Sequence, residues 1–157
     1  MVFESTSAEM TFEFGKKIGS LVKPGDIICL DGNLGVGKTV FTQGVAAGLN
    51  IDEPVCSPTF TLIQEYHEGR IPLYHFDVYR IDGPWDMDDL GYEEYFYGEG
   101  VTVVEWAKII EPLLPDEYLA MEILVVPEGR ELCFIPHGIR YERLIEELTG
   151  CDYSKYR

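Results

Sequence analysis

An α/β sandwich, a mixed sheet with helices packed on it, is predicted by three observations. Strand-length apolar runs alternate with helical-period segments in the first half of the chain. Strand pairs bounded by turn residues fill the second half. The 157 residues, 46% of them hydrophobic, supply one core. A single domain over residues 1–157 follows, with 150–157 read as a loose tail.

The first helix is predicted over residues 7–22. Met10, Phe14, Ile18, Leu21 and Val22 form its stripe, and Phe12 lies off it. Ser7 serves as N-cap and Pro24-Gly25 ends the element. Asp26–Asp31 is a short apolar strand, followed by a Gly-rich turn and a helix from Lys38 to Leu49. Pro54 and Pro58 bracket an extended loop. Thr61–Tyr66 and Pro72–Tyr79 read as strands joined by the hairpin connection His67–Arg70. Residues 84–97, acidic and aromatic, form short helical turns. Val101–Glu105 is a buried strand. Leu119–Val126 and Glu131–Ile135 form a second hairpin, and Ile139–Leu148 is a closing amphipathic helix.

Net charge is −16, so the basic footprint of a nucleic-acid binder is missing. Between Arg80 and Lys108 there is no cation, against Asp82, Asp86, Asp88, Asp89, Glu93, Glu94, Glu99 and Glu105. That span is either a solvated surface or a docking face for a basic partner. The start, MVFESTSAEM, has neither the basic nor the apolar run of a leader. No apolar run is long enough for a membrane span, so a soluble, cytoplasmic protein is expected. Cys29, Cys56, Cys133 and Cys151 are scattered without metal-ligand spacing, as are His67, His75 and His137. Cys29 and Cys133 read as small core residues, and His75 as a half-buried strand residue.

The chemistry lies in Gly32-Asn33-Leu34-Gly35-Val36-Gly37-Lys38-Thr39, which fits GxxxxGK[ST]. Its glycines let successive N–H groups turn toward an anion, and the following helix adds its positive end. Lys38 reaches the outer phosphates, and the Thr39 hydroxyl suits Mg²⁺. Average residue usage yields this pattern by chance about once in two hundred chains of this length. The flanking strand and helix lower that further. The phosphate-cradling candidates are Asn33, Leu34, Gly35, Val36, Gly37, Lys38, Thr39 and Val40. A P-loop NTPase-like three-layer sandwich is therefore expected, with ATP/ADP and Mg²⁺ as ligands. No guanine-reading NKxD segment occurs, which favours ATP over GTP.

Such a site needs an acid at the end of a neighbouring strand. Asp77 ends Leu73–Asp77, and Glu105 ends the more apolar Val101–Glu105. Thr59, in Ser57-Pro58-Thr59-Phe60, is either a γ-phosphate-sensing switch residue or a polar residue in a rigid proline turn. Trp106 either covers the nucleotide or packs. Arg80 and Arg130 are phosphate-neutralising candidates or plain surface arginines.

Four motifs in order now carry a resemblance: GNLGVGKT (32–39), SPTF (57–60), HFDVYR (75–80) and Glu105-Trp106. With Lys23–Asp26 and Leu90-Gly91, they resemble the TsaE family over about residues 5–135. Val36 and Ala107 depart from that pattern, where alanine and proline are common. The resemblance implies a small P-loop ATPase needed for threonylcarbamoyladenosine in tRNA, beside the anticodon. It implies two partners, a TsaD-type threonylcarbamoyl transferase and its TsaB-type companion, with tRNA met only indirectly. It also implies roles by position. Thr39 and Glu105 bind Mg²⁺, Asp77 is the Walker B-like aspartate, and Thr59 is the switch threonine. Trp106 lies near the nucleotide, and Ser5–Ala8, with Thr6, approach the base. Lys38, Asp77, Glu105 and Thr59 form the catalytic set, and Arg130 joins the nucleotide contacts. The competing readings are a small-molecule P-loop kinase and a nucleotide-gated assembly factor with negligible hydrolysis.

Overall fold

Seven strands form one sheet in the order β1-β7-β6-β2-β5-β4-β3 in the computed structural model, which describes residues 1–33, 35–58 and 60–150. The strands are β1 (Val2–Ser5), β2 (Ile27–Asp31), β3 (Ile63–Tyr66), β4 (Leu73–Asp77), β5 (Val101–Glu105), β6 (Tyr118–Val126) and β7 (Gly129–His137). The central β6, β2, β5 and β4 run parallel. β1, β7 and β3 join antiparallel at the edges. The helices are α1 (Ala8–Leu21), α2 (Lys38–Gly48), α3 (Tyr92–Phe96) and α4 (Ile139–Thr149), with 3₁₀ segments at Pro84–Leu90 and Ala107–Leu113.

β2 and β5 are buried on both faces because both faces are covered. Ile28 and Leu30 of β2 point toward α1, α2 and α4, in one core with Ile18, Phe41, Val45 and Leu144. Ile27 and Cys29 point the other way, toward Met87, Phe96 and Ile110. This is the predicted three-layer arrangement. Burial pushes the Cys29 thiol far above its ordinary range, so it is an inert core group.

α1 starts where Ser7, in extended geometry, accepts the Met10 N–H on its hydroxyl at 3.1 Å. Its inward face differs from the predicted stripe. Thr11, Gly15, Ile18 and Gly19 are buried, whereas Met10 is 39% exposed. The cause is α2, which approaches backbone to backbone. A Cβ at Gly15 or Gly19 would sit 2.2 Å from Phe41 O or Val45 O. Reciprocally, one at Gly44 or Gly48 would sit 2.2 or 2.1 Å from Phe12 O or Lys16 O. Glycine faces inward because nothing larger fits.

The strand β1 is absent from the sequence expectations, as is the Ala107–Leu113 turn. β1 pairs with β7, with Val2 opposite Cys133 and Ser5 opposite Arg130. The Phe3 ring lies 5.0 Å from Phe14 and 5.5 Å from Phe134. Cys133 is not a core residue. Leu132 and Phe134 are buried on one face of β7, and Cys133 between them turns to the other face, half-buried. The predicted loose tail lies outside the described residues, apart from Gly150, which caps α4 in a left-handed conformation.

α4 is tied to β2 by polar contacts. The Tyr141 hydroxyl accepts the buried Ile27 N–H at 2.9 Å, and burial pushes its pKa up to about 12. Next to it, Arg140 pairs with Asp26 at 2.7 Å. Tyr141→Phe should cost about 1–3 kcal/mol, because the Ile27 N–H loses its acceptor. Urea denaturation of the two proteins measures it.

Candidate nucleotide site

The site forms at the carboxyl ends of the parallel strands, the usual place for ligands in such sheets. β2 delivers Asp31 to the loop. Gly35 and Gly37 then take φ of 78° and 116°, which other residues resist. Around Gly35 an added Cβ would meet nothing within 4 Å, so φ and not space demands this glycine. No side chain caps the first turn of α2. Its N–H groups are thus left to an anion or solvent.

Lys38 is 5% exposed. Its Nζ donates to Gly32 O at 2.5 Å and Asn33 O at 3.0 Å, and lies 3.9 Å from the Trp106 ring centre. Burial lowers its pKa, while Glu105, Asp77 and Asp31 pull the other way. Thr39 opens α2 beside it. Burial likewise raises the Asp31 pKa, against the Lys108 N–H that donates to it at 3.2 Å.

Asp77 and Glu105 are opposed in the β4–β5 register, and both are buried, at 6% and 3% exposure. Two carboxylates buried side by side need a compensating charge, and Lys38 lies within electrostatic reach of both. Asp77 is held at both oxygens. The Ser57 hydroxyl donates to Oδ2 at 2.5 Å, and the Tyr79 N–H donates to Oδ1 at 3.0 Å. Glu105 is held at one, Oε2, which lies 2.5 Å from His75 Nε2. His75 is fully buried, not half-buried as the sequence suggested. Its position on β4, two residues before Asp77, puts it on the face that carries Leu73, Asp77 and the α2 side of the core.

Trp106 follows Glu105 with φ of 62°, an uncommon conformation for a bulky residue. Its backbone N–H donates to Leu30 O at 2.9 Å, and its ring lies 4.8 Å from that of Tyr79. The turn thus lays the indole beside Lys38.

A cleft of about 320 Å³ adjoins the loop, lined by Ser5–Ala8, Thr11, Gly35–Gly37, Val40, Gly129 and Arg130. Thr6, Val36, Val40 and Arg130 therefore meet, although residues 6 and 130 come from opposite ends of the chain. The Arg130 Nε donates to Val36 O at 3.1 Å. Arg80 does not join this group and lies over Phe60, 4.7 Å from its ring centre. Leu34 and Thr59 lie outside the described residues. Sequence reasoning missed Ser57 and Tyr79 as supports of Asp77, and His75 as the partner of Glu105. Ser57 and His75 sit inside the SPTF and HFDVYR motifs, and that was their only signal.

The groups present fit a nucleotide with a hard cation. Gly35 leaves open space beside the loop, Lys38 supplies a cation, and Thr39, Asp77 and Glu105 supply the oxygen donors that a hard cation prefers. Among the described residues no three or more His, Cys, Asp or Glu form a metal site alone. Mg²⁺ is commonly held by one or two carboxylates together with substrate phosphates.

Comparison with known proteins gives the family. The profile described as "Threonylcarbamoyl adenosine biosynthesis protein TsaE" matches residues 5–132. The tRNA threonylcarbamoyladenosine biosynthesis protein TsaE of Bacillus subtilis (strain 168) is 47% identical over 151 residues, covering 96% of this chain and 94% of that one. Its counterpart in Treponema pallidum (strain Nichols) is 42% identical over 125 residues, covering 80% and 92%. The crystal structure of Bacillus subtilis YdiB superposes with a TM-score of 0.85 at 44% identity, covering 96% of this chain and 94% of that one. No helix among the described residues is long and apolar enough to cross a membrane. The motif resemblance, the α/β fold and the near full-length relatives agree: the chain belongs to the TsaE family.

Proposed function

We propose that this chain binds ATP with Mg²⁺ on Gly32–Thr39 and hydrolyses it slowly. We further propose that the cycle drives its association with a TsaD-type transferase and a TsaB-type companion, in the making of threonylcarbamoyladenosine in tRNA. One observation carries the reading: Lys38 is buried on its own loop carbonyls, within electrostatic reach of the adjacent buried carboxylates Asp77 and Glu105.

In this reading Asn33, Leu34, Gly35, Val36, Gly37 and Val40 cradle and flank the phosphates, and Lys38 leaves its carbonyls for the outer ones. Thr39 and Glu105 hold the metal. Mg²⁺ supplies charge neutralisation on the terminal phosphates. Glu105 suits a ligand role because one oxygen is committed to His75 and the other has no hydrogen bond among the described residues. Asp77, fixed at both oxygens, suits the orienting of a water, directly or beside the metal. Thr59 is assigned the γ-phosphate-sensing role. The Thr6–Arg130 cleft takes the base and ribose side, and Trp106 lies along the phosphate edge.

The acidic layer supports a protein partner and an indirect relation to tRNA. Asp82, Asp86, Asp88, Asp89, Glu93, Glu94 and Glu99 are all exposed, beside exposed Trp85 and Tyr97. Such a face repels a phosphate backbone and complements a basic protein surface.

Glu105→Gln and Asp77→Asn should each lower ATP turnover about 100-fold or more, the usual scale for a positioned acid or base. Asp77→Asn should retain nucleotide binding. Phosphate-release assays and calorimetry separate the two effects. The deciding experiment measures ATP turnover by the chain alone and with the two partners. A slow rate that changes with partners is expected. Rapid phosphorylation of a metabolite would instead establish the kinase alternative.

A further inference from the structure

We propose that His75 is the positioning residue of Glu105, orienting its carboxylate toward the metal; this rests on the nucleotide reading above. His75 and Glu105 sit diagonally on neighbouring parallel strands, since His75 opposes Val103 and Asp77 opposes Glu105. Alternation puts His75, Asp77, Val103 and Glu105 on one face of the sheet. Both members of the pair are buried, at 0% and 3% side-chain exposure, and their contact is 2.5 Å.

The ring's other nitrogen, Nδ1, has no hydrogen-bond partner among the described residues. That orphan fixes the tautomer. A proton on Nδ1 would be a buried donor without an acceptor, whereas a proton on Nε2 meets a carboxylate oxygen. The ring therefore donates through Nε2 to Oε2. A histidine buried with a single polar bond contributes little to packing that an aliphatic side chain would not. Its specific effect is to pin one Glu105 oxygen and so direct the other. Carboxylates that bind metals gain orientation from such outer contacts, and losing one typically costs 10–100-fold in metal affinity. Asp77 has its own supports in Ser57 and the Tyr79 N–H. The two carboxylates are thus held independently.

The test titrates Mg²⁺ against ATP binding by calorimetry in the native chain, His75→Leu and His75→Gln. His75→Leu should leave metal-free ATP affinity within about twofold and raise the Mg²⁺ requirement at least tenfold. His75→Gln, whose amide nitrogen also donates, should recover most of the difference. An unchanged Mg²⁺ requirement in His75→Leu would overturn the proposal. Nitrogen-15 spectra of the native ring give a readout independent of nucleotide and of variant folding. A proton on Nε2 is expected, and a proton on Nδ1 overturns the assignment. A native chain that binds no ATP at any Mg²⁺ level would remove the nucleotide reading itself, a result distinct from either failure above.

Discussion

Lys38→Ala is expected to lower ATP affinity about 100-fold or more in a chain that still folds. The magnitude follows from charge-assisted hydrogen bonds to phosphate, each worth about 1.5–3 kcal/mol, of which a P-loop lysine makes more than one. The surroundings enlarge the effect. Without the ammonium, Asp31, Asp77 and Glu105 face the incoming phosphates unopposed. Stability should fall modestly, because water replaces Lys38 at the carbonyls of half-exposed Gly32 and exposed Asn33 but the buried carboxylates lose their nearby positive charge. Calorimetry with ATP and Mg²⁺, alongside thermal unfolding of the free chain, measures both quantities. Lys38→Arg should not rescue binding, since a planar fork does not replace a compact ammonium. ATP affinity equal to that of the native chain would end the nucleotide assignment.

Gly19→Ala should lower Tm by roughly 4–8 °C, a loss of about 2 kcal/mol in a chain of this size. The direction is the informative part. Helix propensity alone favours alanine over glycine by about 1 kcal/mol, so an unpacked α1 would gain stability. The new methyl would instead meet the Val45 carbonyl at 2.2 Å, a backbone atom unable to swing away. The helices must separate, and the core of Ile18, Phe41 and Val45 loosens with them. Gly44→Ala, facing Phe12 O from the other side, should behave alike. Thermal unfolding followed by circular dichroism decides it; a raised Tm would show that α1 and α2 are not in backbone contact.

The same glycines show where the sequence was readable. The period of α1 was legible, and Ile18 and Val22 of its stripe are buried, but the glycines on its inward face were not foreseen. Phe14 does pack on the core, whereas Met10 only looked like a core residue because hydrophobicity is the usual signal, and the close partner of α1 is a backbone that only glycine admits. The Gly-rich turn between β2 and α2 was legible because its signal is local, with glycines at the positive-φ positions 35 and 37 and Lys38 opening the helix. The acids Asp77 and Glu105 were legible as ends of apolar runs, though their adjacency needed the β4–β5 register. β1 was not legible. Four residues carry little periodicity, and its pairing partner lies about 130 positions away. His75 was misjudged because its neighbour Glu105 is 30 residues distant in sequence and becomes adjacent only when β4 meets β5.

The place of β1 has a consequence for how the protein is made. It pairs with residues of β7 that follow it by about 130 positions, so it leaves the ribosome well before them. The Thr6–Arg130 cleft joins the same two regions. Contacts of such separation close late, because a long loop must lose its freedom first. A nascent chain can therefore complete its loop and carboxylates around β2, β4 and β5 while the wall beside residue 6 is still missing. The wall of the Thr6–Arg130 cleft is therefore among the last parts of the sheet to close.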